Sequence, residues 1–236
     1  MKKLALELFA GSRSFGKAAE KKGYKVFSMD KFITEDMHFV GGVEDLTKEM
    51  IVEHLGGEPT VIWGSPVCSA WSKTGWFHYW DTKIYKLTKK FIAKKSFAYE
   101  SVEMVRKTIE IFSWFPKAFF YMENPQGMLA FHPVIQYFKV YNLPVVKRLV
   151  TYCQYGHTVR KPTEIWTNNF EWKQRKPCSN GDTCHLKSPR CTQSGIMTLK
   201  NSFERSKIPD ELCDEIISSS LGEPRTRIDK QYTLIQ

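Results

Sequence analysis

Apolar positions along this chain recur in two patterns. Short, nearly continuous apolar runs occupy residues 4–9 (Leu-Ala-Leu-Glu-Leu-Phe), 24–29, 60–63 (Thr-Val-Ile-Trp) and 118–122. Runs of that length bounded by turn residues predict strands buried on both faces. Residues 15–22 and 97–115 instead space their apolar side chains three and four apart, which predicts helices. Gly23 stands where a helix stop belongs. Asp45 reads as the N-cap of a helix of about ten residues, with Glu49 near the position of a capping carboxylate. Residues 145–152 and 163–167 read as late strands and 209–220 as a last helix. Strands alternating with helices predict an α/β fold built on a mostly parallel sheet. In such sheets ligands gather at the carboxyl ends of the strands. Four predicted strand ends here carry reactive or small residues, at 10–12, 30, 64–68 and 123–125.

Composition narrows the function classes. The 236 residues suit one domain with a small appendage. Lys plus Arg number 35 against 25 Asp plus Glu, a formal charge of +10, which favours a polyanionic partner. No apolar run approaches the roughly 20 residues needed to cross a bilayer. The basic-then-apolar start is interrupted by Glu7 and Gly11-Ser12-Arg13 before a signal-peptide core forms. These features predict a cytoplasmic protein without membrane contact, whose six cysteines serve as thiols or metal ligands rather than disulfides.

The positive charge is localised. Residues 73–95 hold seven lysines against Asp81, interleaved with Trp76, Phe77, Tyr79, Trp80, Tyr85 and Phe91. Residues 171–207 hold eight Lys or Arg against three acids. Basic side chains among aromatics suit phosphate contacts combined with base stacking; the alternative is a solvated lysine face over a few core aromatics.

Four stretches carry candidate chemistry. Glu7 to Gly16 is a strand running into a small-residue turn and a helix, where backbone N–H groups can approach a ligand. Asp30 ends the next strand, where an acid can accept from ribose hydroxyls or simply cap the strand. Gly64-Ser65-Pro66-Val67-Cys68-Ser69-Ala70-Trp71-Ser72 sets a thiol just beyond a buried strand, either a nucleophile or an inert core cysteine. Tyr121-Met122-Glu123-Asn124-Pro125-Gln126 sets a carboxylate at a strand end, either a general acid or a helix cap.

Taken in order, these stretches resemble the DNA (cytosine-5) methyltransferase family in its compact bacteriophage or prophage form. Residues 7–16 look like its cofactor motif and Gly64 to Ser72 like its proline-cysteine motif. Glu123-Asn124-Pro125 looks like its Glu-Asn motif. Cys153-Gln154-Tyr155-Gly156 through Trp166-Thr167-Asn168 looks like the late strand pair that carries a glutamine and arginines, and Ile208-Pro209-Asp210-Glu211-Leu212-Cys213 like the closing helix. The resemblance implies a class I S-adenosylmethionine-dependent methyltransferase: a Rossmann-like, mostly parallel sheet flanked by helices. It implies a catalytic domain over 1–169 plus 205–236 and a target-recognition insert over 170–204. It also implies a monomer acting on double-stranded DNA, with an RNA cytosine methyltransferase and a catalytically silent relative as alternatives. Carried over by residue, Cys68 is the nucleophile that adds to carbon 6 of a flipped-out cytosine, and Glu123 serves ring nitrogen 3. Phe9, Ala10, Gly11, Ser12, Asp30, Asp45, Ser65 and Pro66 line the cofactor. Ser69, Ser72, Lys73, Lys161, Lys173, Arg175, Lys176, Lys187 and Arg190 meet DNA.

Three departures stand out. The usual Pro-Pro-Cys is Pro66-Val67-Cys68. The usual Gln-x-Arg-x-Arg is broken, so the base-gripping cation is Arg160, with Lys161 second. The closing Gly-Asn-Ser-Val turn is absent, and Arg205-Ser206-Lys207-Ile208-Pro209 occupies its place. The insert holds Cys178, Cys184, His185 and Cys191, a Cys3His set that a structural zinc could organise; otherwise it is a basic loop with free thiols. A reader this small implies a target of about two to four base pairs.

Overall fold

A computed structural model describes residues 2–32, 36–186, 199 and 202–222. In chain order the elements are β1 (Leu4–Leu8), α1 (Ser14–Lys21), β2 (Lys25–Asp30), β3 (Phe39–Val40), α2 (Lys48–Leu55), β4 (Val61–Gly64), α3 (Trp76–Tyr79), α4 (Thr82–Thr88), α5 (Ser96–Ser113), β5 (Phe119–Pro125), α6 (Tyr137–Val140), β6 (Val146–Thr151), β7 (Pro162–Thr167), α7 (Ser202–Ser206) and α8 (Asp210–Ser219). The strands form one sheet in the order β3-β2-β1-β4-β5-β7-β6. β7 runs antiparallel to both its neighbours, and the remaining pairs are parallel. The expected mostly parallel α/β sheet is present, with each predicted strand and long helix at its place to within two or three residues.

Period-2 alternation assigns the side chains to two cores. Leu4, Leu6, Leu8, Phe27, Met29, Ile62, Phe120 and Met122 face α2 and α5. Ala5, Val26, Val61, Trp63, Phe119 and Tyr121 face α1 and α8. Both faces are therefore buried, which is why these strands read as continuous apolar runs. Strand order reverses between β1 and β4, so the crevice of a doubly wound sheet opens at the ends of those strands.

The helix expected from Asp45 starts later. Asp45 closes a 3-10 turn over Val43–Asp45 and accepts from the Gly42 N–H at 3.0 Å. Thr47 caps α2 by accepting from Met50 N at 3.2 Å. Two Asp/Thr candidates two residues apart compete for the same cap, and Thr47 has the extended backbone a cap requires.

Two buried titratable groups pull stability in opposite directions. Glu7 lies under α1, where an atom at the Cβ position of Gly16 would sit 2.4 Å from its Oε2. Its carboxylate accepts from Ser28 Oγ at 2.7 Å, yet burial pushes its pKa up to about 7. The folded state thus holds the Glu7 proton more tightly than the unfolded chain between about pH 4.5 and 7. Over that window rising pH removes on the order of 3 kcal/mol of stability. His132 sits among Trp71, Trp80 and Phe91, and burial holds its pKa down at about 4. Its contribution is present above pH 6.5 and is lost as pH falls toward 4, by no more than about 2 kcal/mol after solvent screening. Chemical denaturation of the native protein between pH 4 and 8 is expected to give a shallow profile. Glu7→Gln unmasks the histidine, so that stability climbs with pH from 4 to 6.5. An unchanged profile in that variant rules this balance out.

Candidate active site

Four loops meet at the carboxyl ends of β1, β2, β4 and β5. The turn after β1 is conformationally unusual: Phe9, Gly11 and Arg13 all lie at φ between +49° and +58°. Glycine tolerates that region freely, whereas Phe9 and Arg13 hold it against steric cost. Hydrogen bonds from the sheet hold the turn. Asp30 accepts from Gly11 N at 2.9 Å and from Phe32 N at 3.0 Å, and Ser65 Oγ donates to the Phe9 carbonyl at 3.2 Å. Phe9, Ala10, Gly11, Ser12, Asp30, Ser65 and Pro66, all named from sequence, thus belong to one continuous rim. Asp45 lies outside this hydrogen-bonded rim, exposed on its 3-10 turn. A groove of about 540 Å³, lined by Lys31, Glu44, Tyr99 and Met104 among others, adjoins the residues next to Asp30 and Asp45.

The thiol loop is clamped from two sides. Asn124 Nδ2 donates to the Pro66 carbonyl at 2.9 Å, tying the end of β5 to the turn that carries Cys68. Asn124 Oδ1 is left buried with no partner among the described residues, so it can accept from a donor entering the site. Downstream, Met128 N donates to the Trp71 carbonyl at 2.8 Å and Trp80 Nε1 to the Ala70 carbonyl at 2.9 Å. Gly127 is required here, because a Cβ on it would lie 2.2 Å from the Trp71 carbonyl oxygen. Ser72 is spent within its own turn, accepting from Gly75 N at 3.1 Å; Ser69 is half-buried and Lys73 exposed.

Glu123 is buried beside the thiol. Tyr152 OH donates to its Oε1 at 2.8 Å, and Lys161 Nζ stands 3.5 Å from the same oxygen. Lys161 is itself buried, with Nζ 4.6 Å from the Tyr152 ring centroid and donating to the Arg205 carbonyl at 3.3 Å. Burial pushes the Cys68 thiol up, the Lys161 charge pulls it down and the Glu123 charge raises it again. The three groups therefore form one electrostatic unit.

Several sequence-named residues are placed elsewhere. Arg160 points away from Glu123 and donates from Nε and Nη2 to the Cys178 carbonyl at 3.3 and 3.2 Å. Lys161, named second, is thus the cation near Glu123, since neighbouring residues on an extended chain face opposite ways. Arg175 is not free for a partner: it pairs with Glu211 and Glu215, donates to the Gln154 carbonyl and lies over the Tyr155 ring. Lys173 and Lys176 are exposed; Lys187, Arg190 and Cys191 lie outside the described residues. The converging sulfur and imidazole donors are Cys153, Cys178, Cys184 and His185. Cys153 joins Cys178, Cys184 and His185 of the set read from the sequence, whose fourth member, Cys191, lies outside the described residues. In the sequence Tyr152 reads as the end of a late strand and Cys153 as the first residue of the Cys153-Gln154-Tyr155-Gly156 stretch, and neither is marked there as a site residue.

The basic segment 73–95 is more ordered than its composition suggests. Trp76, Trp80, Tyr85 and Phe91 pack on one another and, with Trp71 and His132, build a small aromatic core. Their rings are spent on folding this lobe. All seven lysines remain on its exterior, with Phe77 and Leu87 exposed among them.

Among solved structures, the chain is similar to an E. coli prophage-encoded protein described as a candidate DNA modification methyltransferase, with a TM-score of 0.50 at 14% identity. That match covers 70% of this chain and 46% of the other, so the chain spans less than half of that structure's length. The S. pombe Dnmt2 methyltransferase gives a TM-score of 0.48 at 10% identity over 70% of this chain and 49% of that one. The Entamoeba histolytica methyltransferase EhMeth gives 0.47 at 12% identity over 86% and 61%. No family model matches the chain, and no curated protein does. The sheet order, the single reversed strand and the prophage neighbour together give this chain the class I methyltransferase fold.

Proposed function

We propose that this protein is an S-adenosylmethionine-dependent cytosine-5 methyltransferase of DNA, acting through a covalent adduct at Cys68. The observation that carries the reading is the grouping of Cys68, Glu123 and Lys161 next to the glycine turn at the sheet's switch point. The rim fits the cofactor. Asp30 accepts one hydrogen bond on each carboxylate oxygen and keeps lone pairs for a ribose diol, a Cβ on Gly11 would meet only the Phe9 carbonyl oxygen at 4.0 Å, and Phe9 is half-buried. S-adenosylmethionine, when bound, supplies an electrophilic methyl group.

The chain's own residues supply the rest. Carbon 5 of cytosine is a weak nucleophile. Addition of the Cys68 thiolate to carbon 6, with a proton delivered to ring nitrogen 3 from Glu123, converts carbon 5 into an enamine carbon able to accept a methyl group. Lys161, 3.5 Å from Glu123, would support charge at the neighbouring carbonyl oxygen of the base. A water-mediated base then takes the carbon-5 proton, Cys68 leaves as the thiolate, and the nitrogen-3 proton returns to Glu123, restoring the aromatic ring and the enzyme. The lysine-covered lobe next to Cys68, together with Lys173 and Lys176, provides sequence-independent phosphate contacts for a base extruded from its stack.

The test is transfer of a labelled methyl group from S-adenosylmethionine to duplex DNA and to RNA of matched sequence. Label in DNA at cytosine carbon 5 is expected. Label in RNA alone assigns the alternative substrate, and label in neither removes the methyltransferase reading.

A further inference from the structure

Cys153, Cys178, Cys184 and His185 come from two parts of the chain that the fold brings together. Cys153 lies on a 3-10 turn directly after β6, and the other three belong to the segment that follows β7. Their donor atoms all lie within 4.8 Å of one another. Cys153 Sγ is 3.1 Å from Cys178 Sγ and 3.8 Å from Cys184 Sγ. His185 Nδ1 is 3.8 Å from Cys178 Sγ and 3.4 Å from Cys184 Sγ. A tetrahedral zinc ion with ordinary bond lengths requires edges of about 3.7 Å between sulfurs and about 3.5 Å between sulfur and nitrogen. Three of the four distances meet that demand closely, and the fourth needs a shift of about half an ångström.

The surroundings suit a cation centre. Gln154 Nε2 donates to Cys184 Sγ at 3.2 Å, the kind of outer contact that orients a thiolate ligand. Cys178 is held by its backbone: its N–H donates to Thr151 Oγ1 at 3.0 Å, and its carbonyl accepts the Arg160 guanidinium. The segment between Cys178 and His185 cannot organise itself by burial, since Ser179 through Cys184 are all exposed. Besides the donor cluster, it is anchored by Leu186 N donating to the Thr158 carbonyl at 2.9 Å.

We propose that these four residues bind one zinc-class divalent cation that clamps the segment after β7 onto the turn after β6. The centre would be a positioning device. Cys153 is covalently next to Tyr152, which holds Glu123, and the Arg160 that grips Cys178 is next to Lys161. Loss of the cation would loosen both attachments to the candidate active site. This assignment rests on donor geometry and is independent of the reaction proposed above.

The full-length protein should be purified with zinc in the medium and its metal content measured. Between 0.8 and 1 equivalent is expected, within about the precision of such an assay. Cobalt substitution should give the intense absorption of a tetrahedral ion with thiolate-to-metal charge transfer. Cys153→Ser should weaken binding at least about a hundred-fold, more than loss of an outer contact does, while Cys191→Ser should leave it unchanged. Should Cys153→Ser fail to fold, alkylation of the unaltered protein followed by peptide mass analysis decides. Cys153, Cys178 and Cys184 must be protected with metal bound and labelled after chelation. The proposal is overturned by less than half an equivalent of metal, by a Cys153–Cys178 disulfide in the reduced preparation, or by metal binding that needs Cys191 and not Cys153.

Discussion

Cys68→Ala is expected to reduce methyl transfer at least about 10⁴-fold, because removing the nucleophile of a covalent mechanism removes the pathway and not one contact. Cofactor binding should persist, since the Phe9–Ser65 and Gly11–Asp30 hydrogen bonds that shape the rim do not involve the thiol. The native protein should form an adduct with DNA bearing 5-fluorocytosine that survives denaturation, and the variant should not. Activity retained in Cys68→Ala would end the covalent mechanism while leaving the fold assignment intact. The pH profile gives an internal check. Burial raises the Cys68 thiol, so the rate should rise with pH as the thiolate forms. Lys161→Met removes the charge that lowers it and should displace that limb to higher pH.

Glu123→Gln should separate thiol reactivity from catalysis. The Glu123 charge raises the Cys68 thiol, and the carboxylate stands 3.5 Å from Lys161. Replacing it with an amide removes the repulsion and frees the lysine charge to favour the thiolate. Alkylation of Cys68 in the free protein should therefore become faster at a given pH. Methyl transfer should nonetheless fall by about 10² to 10⁴-fold, the usual worth of a positioned proton donor. A purely structural glutamate would slow both measurements or neither. Tyr152→Phe, which removes the hydroxyl that donates to Glu123 at 2.8 Å and leaves the carboxylate in place, should produce a smaller loss of transfer without accelerating alkylation. The pair of variants thus tests whether Glu123 works on the base or merely packs beneath it.

The two regions richest in positive charge are used differently from what their composition suggests. In 73–95 Trp76, Trp80, Tyr85 and Phe91 pack on one another, and the lysines face outward. Base stacking by Trp76, Trp80, Tyr85 or Phe91 would require the lobe to come apart, so its contribution to a nucleic-acid partner is electrostatic and salt-dependent. In the segment after β7, Arg175 is held by Glu211 and Glu215 of α8 and fastens the base of that segment to the domain. Trp172 does the same from the buried side, donating to Glu215 Oε1 at 3.0 Å.

By itself the sequence determined the sheet, the long helices and which thiol, carboxylate and glycine turn stand as candidates. Those features are local: a buried strand announces itself by a continuous apolar run, and in this topology the chemistry sits in the residues that immediately follow each run. Cys68 and Glu123 were legible as candidates because the first lies on the loop just beyond β4 and the second near the carboxyl end of β5. Tertiary structure alone decided what lies between distant segments. Lys161 rather than Arg160 meets Glu123 because the direction of the chain entering β7 sets which of two adjacent cations faces inward. Cys153 joins Cys178, although 25 residues separate them, because the segment after β7 runs back from Thr167, opposite Val146, to the Thr151 end of β6, where the Cys178 N–H donates to Thr151 Oγ1 at 3.0 Å. No spacing rule anticipates that meeting, since the chain between the ligands holds the whole of β7, whose register is set by burial against the rest of the sheet.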